Sequence, residues 1–94
     1  MIRIVKMVFK EDLIPEFRSL FAEVQPKINA VNGCQGVELL QDINNPTILF
    51  TYSHWDHEDA LNAYRNSELF AKTWIKTKAL FDGKPEAWSV EKRQ

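Results

Sequence analysis

The run from Ile2 to Phe9 is apolar on both of its alternating faces, and this restricts the fold more than any other stretch. One parity carries Ile2, Ile4, Lys6 and Val8; the other carries Arg3, Val5, Met7 and Phe9. The stretch Thr47 to Trp55 repeats the pattern, with Ile48, Phe50, Tyr52 and His54 alternating with Leu49, Thr51, Ser53 and Trp55. Alternation rich in β-branched and aromatic residues predicts strands. Strands apolar on both sides belong to a sheet whose two faces are both covered. The chain must therefore supply, or recruit, two covers.

Between and after these strands the chain offers helices. Asp12 is expected to cap a first one and Pro15 suits its first turn. Leu13, Phe17, Leu20, Phe21, Val24, Ile28 and Val31 then follow the spacing of a single buried face. Pro26 predicts a kink or an early end, and Asn32-Gly33 a stop. A strand from Gly36 to Gln41 and the turn Asp42–Pro46 lead into the strand that ends at Trp55. Asp56 is expected to cap a second helix carrying Ala60, Leu61 and Tyr64. Ser67 is expected to cap a third, running to about Phe81, with Phe70, Trp74 and Phe81 inward and Glu68, Lys72 and Lys76 outward. Glu86 to Lys92 reads as a last strand, with Trp88 and Val90 on one face.

The order is β-α-β-β-α-β, the split βαβ arrangement of α+β, ferredoxin-like domains: one antiparallel sheet with the helices on one face. At 94 residues the chain is one domain, residues 1–94. The helices cover one sheet face and no residues remain for the other. A second copy of the same sheet is the expected cover, hence a homodimer through the sheet face.

Composition removes several functional classes. Twelve basic and thirteen acidic side chains leave a net charge of -1, without the basic excess that nucleic acid or anionic membrane binding calls for. No apolar run approaches a membrane span, and one cysteine, Cys34, cannot form an internal disulfide, so a cytoplasmic protein is expected. The two histidines, His54 and His57, have no further ligands at useful spacing, so no metal is expected. The three glycines are isolated and form no nucleotide loop.

The SHWDHEDALNAYRNSELF run (Ser53–Phe70) and the closing KTKALFDGKPEAWSV (Lys76–Val90), set in this order of elements, resemble the antibiotic biosynthesis monooxygenase family. The pattern consists of Trp55, Asp56, Ala60, Tyr64, Ser67 and Phe70. The resemblance implies a dimeric α+β barrel and two kinds of chemistry. One is cofactor-independent oxidation of quinol- or anthrone-type aromatics by O2, which uses a strand Asn, a junction Trp and a helix Tyr. Here those positions are Thr51, Trp55 and Leu61. The other is haem degradation, which uses an Asn, a Trp and a His. Those positions are about Met7, then Tyr64 and Trp74, so haem degradation is not expected. No cofactor is expected for the first chemistry. A non-catalytic dimeric protein that binds an aromatic molecule or serves in stress is the alternative.

If the parity of Trp55 faces the helices, Thr51 and Ser53 lie beneath the rings of Tyr64, Phe70 and Trp74. Small side chains under large rings make either good packing or a cavity for a flat aromatic molecule. These six residues are the candidate substrate contacts. Tyr64 and His54 are the candidates for proton transfer, although His54 shares the opposite parity with Phe50 and Tyr52, on the expected dimer side.

Overall fold

The computed structural model describes residues 1–94. Its elements are β1 (Ile2–Val8), a short 3-10 turn (Glu11–Leu13), α1 (Ile14–Asn29), β2 (Cys34–Gln41), β3 (Ile48–Trp55), α2 (Glu58–Arg65), α3 (Glu68–Lys78) and β4 (Glu86–Val90). The strands form one antiparallel sheet in the order β2-β3-β1-β4. This is the expected α+β ferredoxin-like topology, and within one chain the sheet is open, not closed into a barrel.

Helix α1 buries Ile14, Phe17, Phe21, Val24 and Ile28, the three-and-four spacing visible in the sequence. One local expectation fails here. Asp12 does not cap α1: it lies in the 3-10 turn, and Leu13 precedes the helix with no side-chain cap. Pro26 does not end α1 at its own position; the helix continues to Asn29. Only the last turn follows the proline, so the single backbone bond it removes is offset by burial of Val24 and Ile28.

The end of α1 also protects a sheet edge. Val37 on edge strand β2 donates its N–H to Asn29 Oδ1 at 3.0 Å and accepts from Gln25 Nε2 at 2.8 Å. Both outward backbone groups are thereby occupied, which removes a pairing site that an edge strand otherwise offers to other chains. Gly33 turns the chain into β2 with φ of 86°, and a Cβ there would lie 2.5 Å from the Ala60 Cβ. Only glycine satisfies both the left-handed backbone and that contact with α2.

The helix-facing side of the sheet carries the core, in which Phe9, Met7 and Leu49 are the most deeply buried side chains. Phe9 stacks on Phe17 at 4.3 Å and meets Phe81 edge-on at 5.3 Å. Phe81 itself lies beyond α3, which stops at Lys78, and pairs with Phe9 through an isolated bridge. The other sheet side is bare. Ile4 sits between Tyr52 and Trp88 in register, and Lys6 between Phe50 and Glu86. Leu40, Trp88 and Val90 on that side are exposed.

Candidate functional site

Cross-strand register sets the floor of the site in rows. Val37, Ser53, Arg3 and Ser89 form one row across all four strands, and Leu39, Thr51, Val5 and Ala87 form the next. Strand alternation places these residues, with Met7 and Trp55, under the helices. Helix α1 packs over β2 and α2 over β3, while the close backbone approaches of α3 are chiefly to α2. A gap is left between α1 and the α2–α3 pair, above the middle of the sheet. It is a cavity of about 280 Å³. An apolar cavity of about 150 Å³ is enough to bind benzene, so this one has room for a fused-ring molecule.

The six candidate contacts Thr51, Ser53, Trp55, Tyr64, Phe70 and Trp74 all line this cavity. Four of them form a continuous chain of rings. Trp55 stacks on Tyr64 at 5.2 Å, Tyr64 meets Phe70 edge-on at 5.3 Å, and Phe70 stacks on Trp74 at 5.9 Å. The chain closes on the core, with Trp74 edge-on to Phe81 at 5.6 Å. Trp55 is fixed twice over: its ring is buried, and its Nε1–H donates to Ser53 Oγ at 2.9 Å. Ser67 orients the helical half of the wall. Its hydroxyl donates to the Tyr64 carbonyl at 2.6 Å and accepts from Phe70 N at 3.2 Å, capping α3 as expected.

Proton chemistry inside the cavity is limited. Burial, followed by the neighbouring Cys34, pushes the Tyr64 pKa up to about 12. Tyr64 is thus a phenol near neutral pH, able to donate a hydrogen bond and unable to take a proton. His54 is exposed on the far side of the sheet, edge-on to Tyr52 at 5.1 Å, and does not line the cavity. His57, not Asp56, is the N-cap residue of α2; its Nδ1 accepts from Ala60 N at 3.3 Å. Asp56 accepts instead from Gln35 Nε2 at 2.7 Å. No group of His, Cys, Asp and Glu is arranged to hold a metal ion.

Sequence reasoning missed three contributions. Phe17, Phe21 and Val24 of α1 form the opposite wall, and Pro85 and Ala87 lie at the β4 side. Arg3 and Arg65 bring charge to the lining. For Arg3 the signal was present: it shares its parity with Val5 and Met7, so alternation puts a guanidinium under the helices.

Comparison with known proteins now bears on this arrangement. The family model for antibiotic biosynthesis monooxygenase matches residues 1–74, which span β1 to α3 and carry all six of the candidate contacts. The chain belongs to that family. Among solved structures, a conserved protein from Methanosarcina mazei Go1 superposes with a TM-score of 0.91 at 25% identity, covering 98% of this chain and 92% of its own. A structure described as an antibiotic biosynthesis monooxygenase gives 0.89 at 17% identity, with 100% of both chains covered. A Bordetella bronchiseptica protein proposed to belong to the same family gives 0.89 at 20% identity, covering 99% and 96%. At such identities these neighbours establish the fold. No curated protein matches the sequence. Trp55 and Tyr64 stack side by side in one wall of the cavity, and Leu61 also lines it.

Proposed function

We propose that the cavity binds a flat, electron-rich aromatic molecule and that the protein catalyses its oxidation by O2 without a cofactor, as a quinol- or anthrone-type monooxygenase. One observation carries the reading: in a chain of this family, four successive rings and two small floor residues enclose a space of fused-ring size. An ionised anthrone can itself supply the electrons that O2 needs. Its ring methylene loses a proton to solvent before the molecule enters the cavity, and the resulting enolate passes one electron to O2. The radical pair then joins in a C–O bond, and the protonated hydroperoxide loses water to leave a ketone. In sum, one ring methylene and one O2 become one ring carbonyl and one water. Apolar walls exclude bulk water, and the Tyr64 phenol is available to donate a hydrogen bond to the developing oxyanion.

Haem degradation has less support. The positions that the chemistry requires hold Tyr64 and Trp74, and neither histidine lines the cavity. A second reading, non-catalytic binding of an aromatic metabolite, is favoured by one fact. No histidine lines the cavity, Tyr64 stays protonated, and the one acid in the lining, Glu86, is exposed, so the enclosed space holds no buried base near neutral pH.

The bare sheet face supports a homodimer in which the second sheet covers Ile4, Phe50, Tyr52 and Trp88. No helix is long and apolar enough to cross a membrane.

The test is oxygen uptake with a panel of anthrones and hydroquinones. O2-dependent turnover that falls in Trp55→Phe and Tyr64→Phe supports the oxygenase. Saturable thermal stabilisation by the same compounds without turnover supports the binding protein.

A further inference from the structure

Two guanidinium groups at the cavity have no ionic partner. Arg3 projects from the floor row between Ser53 and Ser89, and Arg65 descends from α2. The chain's ion pairs, Glu68–Lys72 and Glu91–Arg93, involve neither of them. The one side-chain hydrogen bond made by Arg3 goes to a neutral group, the Ser89 hydroxyl, at 3.0 Å. A guanidinium carries five N–H donors in a planar fork, so most of those on Arg3 lack a protein acceptor.

The surroundings make this costly. Partial burial lowers the Arg3 pKa, and the charge of Arg65 lowers it further, against a smaller opposing effect of Glu58. Glu58, Leu61 and Arg65 lie along one face of α2, at offsets of three and seven, so acid and base both overlook Arg3. Glu86 touches the edge of the cavity but is exposed, and by strand alternation it shares the far side of the sheet with Lys6, its partner in the register. On the helix side of the sheet, two arginines against Glu58 leave one uncompensated positive charge.

We propose that the ligand of this cavity is an aromatic carboxylic acid, its rings against the Trp55–Trp74 wall and its carboxylate between Arg3 and Arg65. The inference rests on the cavity being the ligand site and names the class of molecule that fills it. A carboxylate supplies one negative charge and two oxygens that match the planar fork, whereas a phosphate monoester would overshoot the local charge. The remainder of the lining is mostly apolar and disfavours a wholly polar acid.

Calorimetric titration of the full chain with 1-hydroxy-2-naphthoate and its carboxamide, 1-hydroxy-2-naphthamide, tests this. The acid is expected to bind about tenfold or more tightly than the amide, as charge-assisted hydrogen bonds to arginine imply. R3Q and R65Q are each expected to bring the acid-to-amide affinity ratio towards one, and R3K to retain part of it. Should R3Q fail the circular dichroism check, the exposed Arg65 carries the test alone. A ratio near one in the parent protein, an unchanged ratio in R65Q, or no binding of either probe overturns the proposal. Tighter binding of 1-naphthyl phosphate than of the naphthoate also overturns it. Oxygen uptake with uncharged anthrones is measured separately. The oxygenase reading can therefore fail while the charge preference stands, and the reverse.

Discussion

Removing the Ser53 hydroxyl should be far more damaging than its size suggests. Ser53 and Trp55 are 6% and 3% exposed, and the indole N–H has the Ser53 oxygen, at 2.9 Å, as its acceptor. Ser53→Ala leaves that donor buried and unpaired, at a cost of about 1–3 kcal/mol. The second contact of the hydroxyl, to the Arg3 carbonyl at 3.5 Å, is long and adds little. For a domain of this size each kcal/mol moves Tm by roughly 4–8 °C, so a fall of about 4–24 °C is expected. A water entering from the adjoining cavity would hold the loss near the lower end. The assay is thermal unfolding at fixed protein concentration of the parent, Ser53→Ala, Trp55→Phe and the double variant. Trp55→Phe removes the donor, so the double variant should be less destabilised than the sum of the singles, by about 1–2 kcal/mol. Ser53→Thr, which keeps the hydroxyl, should recover much of the loss. A Tm for Ser53→Ala within about 1 °C of the parent, or a cycle additive to within about 0.5 kcal/mol, would refute the argument.

Thr51→Leu should close the cavity from its floor, because Thr51 lies in the row between Leu39 and Val5, directly under it. The added carbons enter empty space, so the fold should hold while ligand-induced thermal stabilisation disappears; an unaltered ligand shift would place the site elsewhere. The raised Tyr64 pKa has a defined sign: burial favours the phenol in the folded state, so its contribution is complete below about pH 10, the unfolded value. That contribution is lost as pH rises to the folded value of about 12. The fall in Tm across this alkaline window should therefore be shallower in Tyr64→Phe than in the parent, and equal slopes would contradict it. Trp88→Glu places a charge on the bare sheet face beside Ile4. It should shift the protein from dimer to monomer in sedimentation velocity, and an unchanged sedimentation coefficient would show that this face is not the interface.

The fold was legible because its signals are short-range and repeated. Alternation in Ile2–Phe9 and Thr47–Trp55 and the spacing of Phe17, Phe21, Val24 and Ile28 each predicted an element that the structure contains. The misread positions are those where several polar residues compete for one role. Asp56 suits an N-cap by residue type, but the loop that Gly33 turns gives the cap to His57 while Gln35 engages Asp56. Pro26 does not end α1 where it stands, because buried neighbours on the same helix face outweigh one missing backbone bond.

Parity alone determined that Thr51, Ser53 and Trp55 share one side of the sheet and that His54 lies on the other, since side-chain direction along a strand has a period of two. It also put Arg3 on the cavity side, a single charge among apolar neighbours. The tertiary structure decided the rest. Whether small floor residues under large rings close into packing or leave a space depends on how near α3 approaches the sheet, which no local pattern encodes. Here α3 packs chiefly against α2, α1 stands over β2, and a cavity of about 280 Å³ remains between them. That separation also brings Arg65 of α2 over Arg3 of β1, a pairing 62 positions apart in the chain (65 − 3). The Ile2–Phe9 strand that first demanded two covers thus has one in the helices, and its other face remains bare within a single chain.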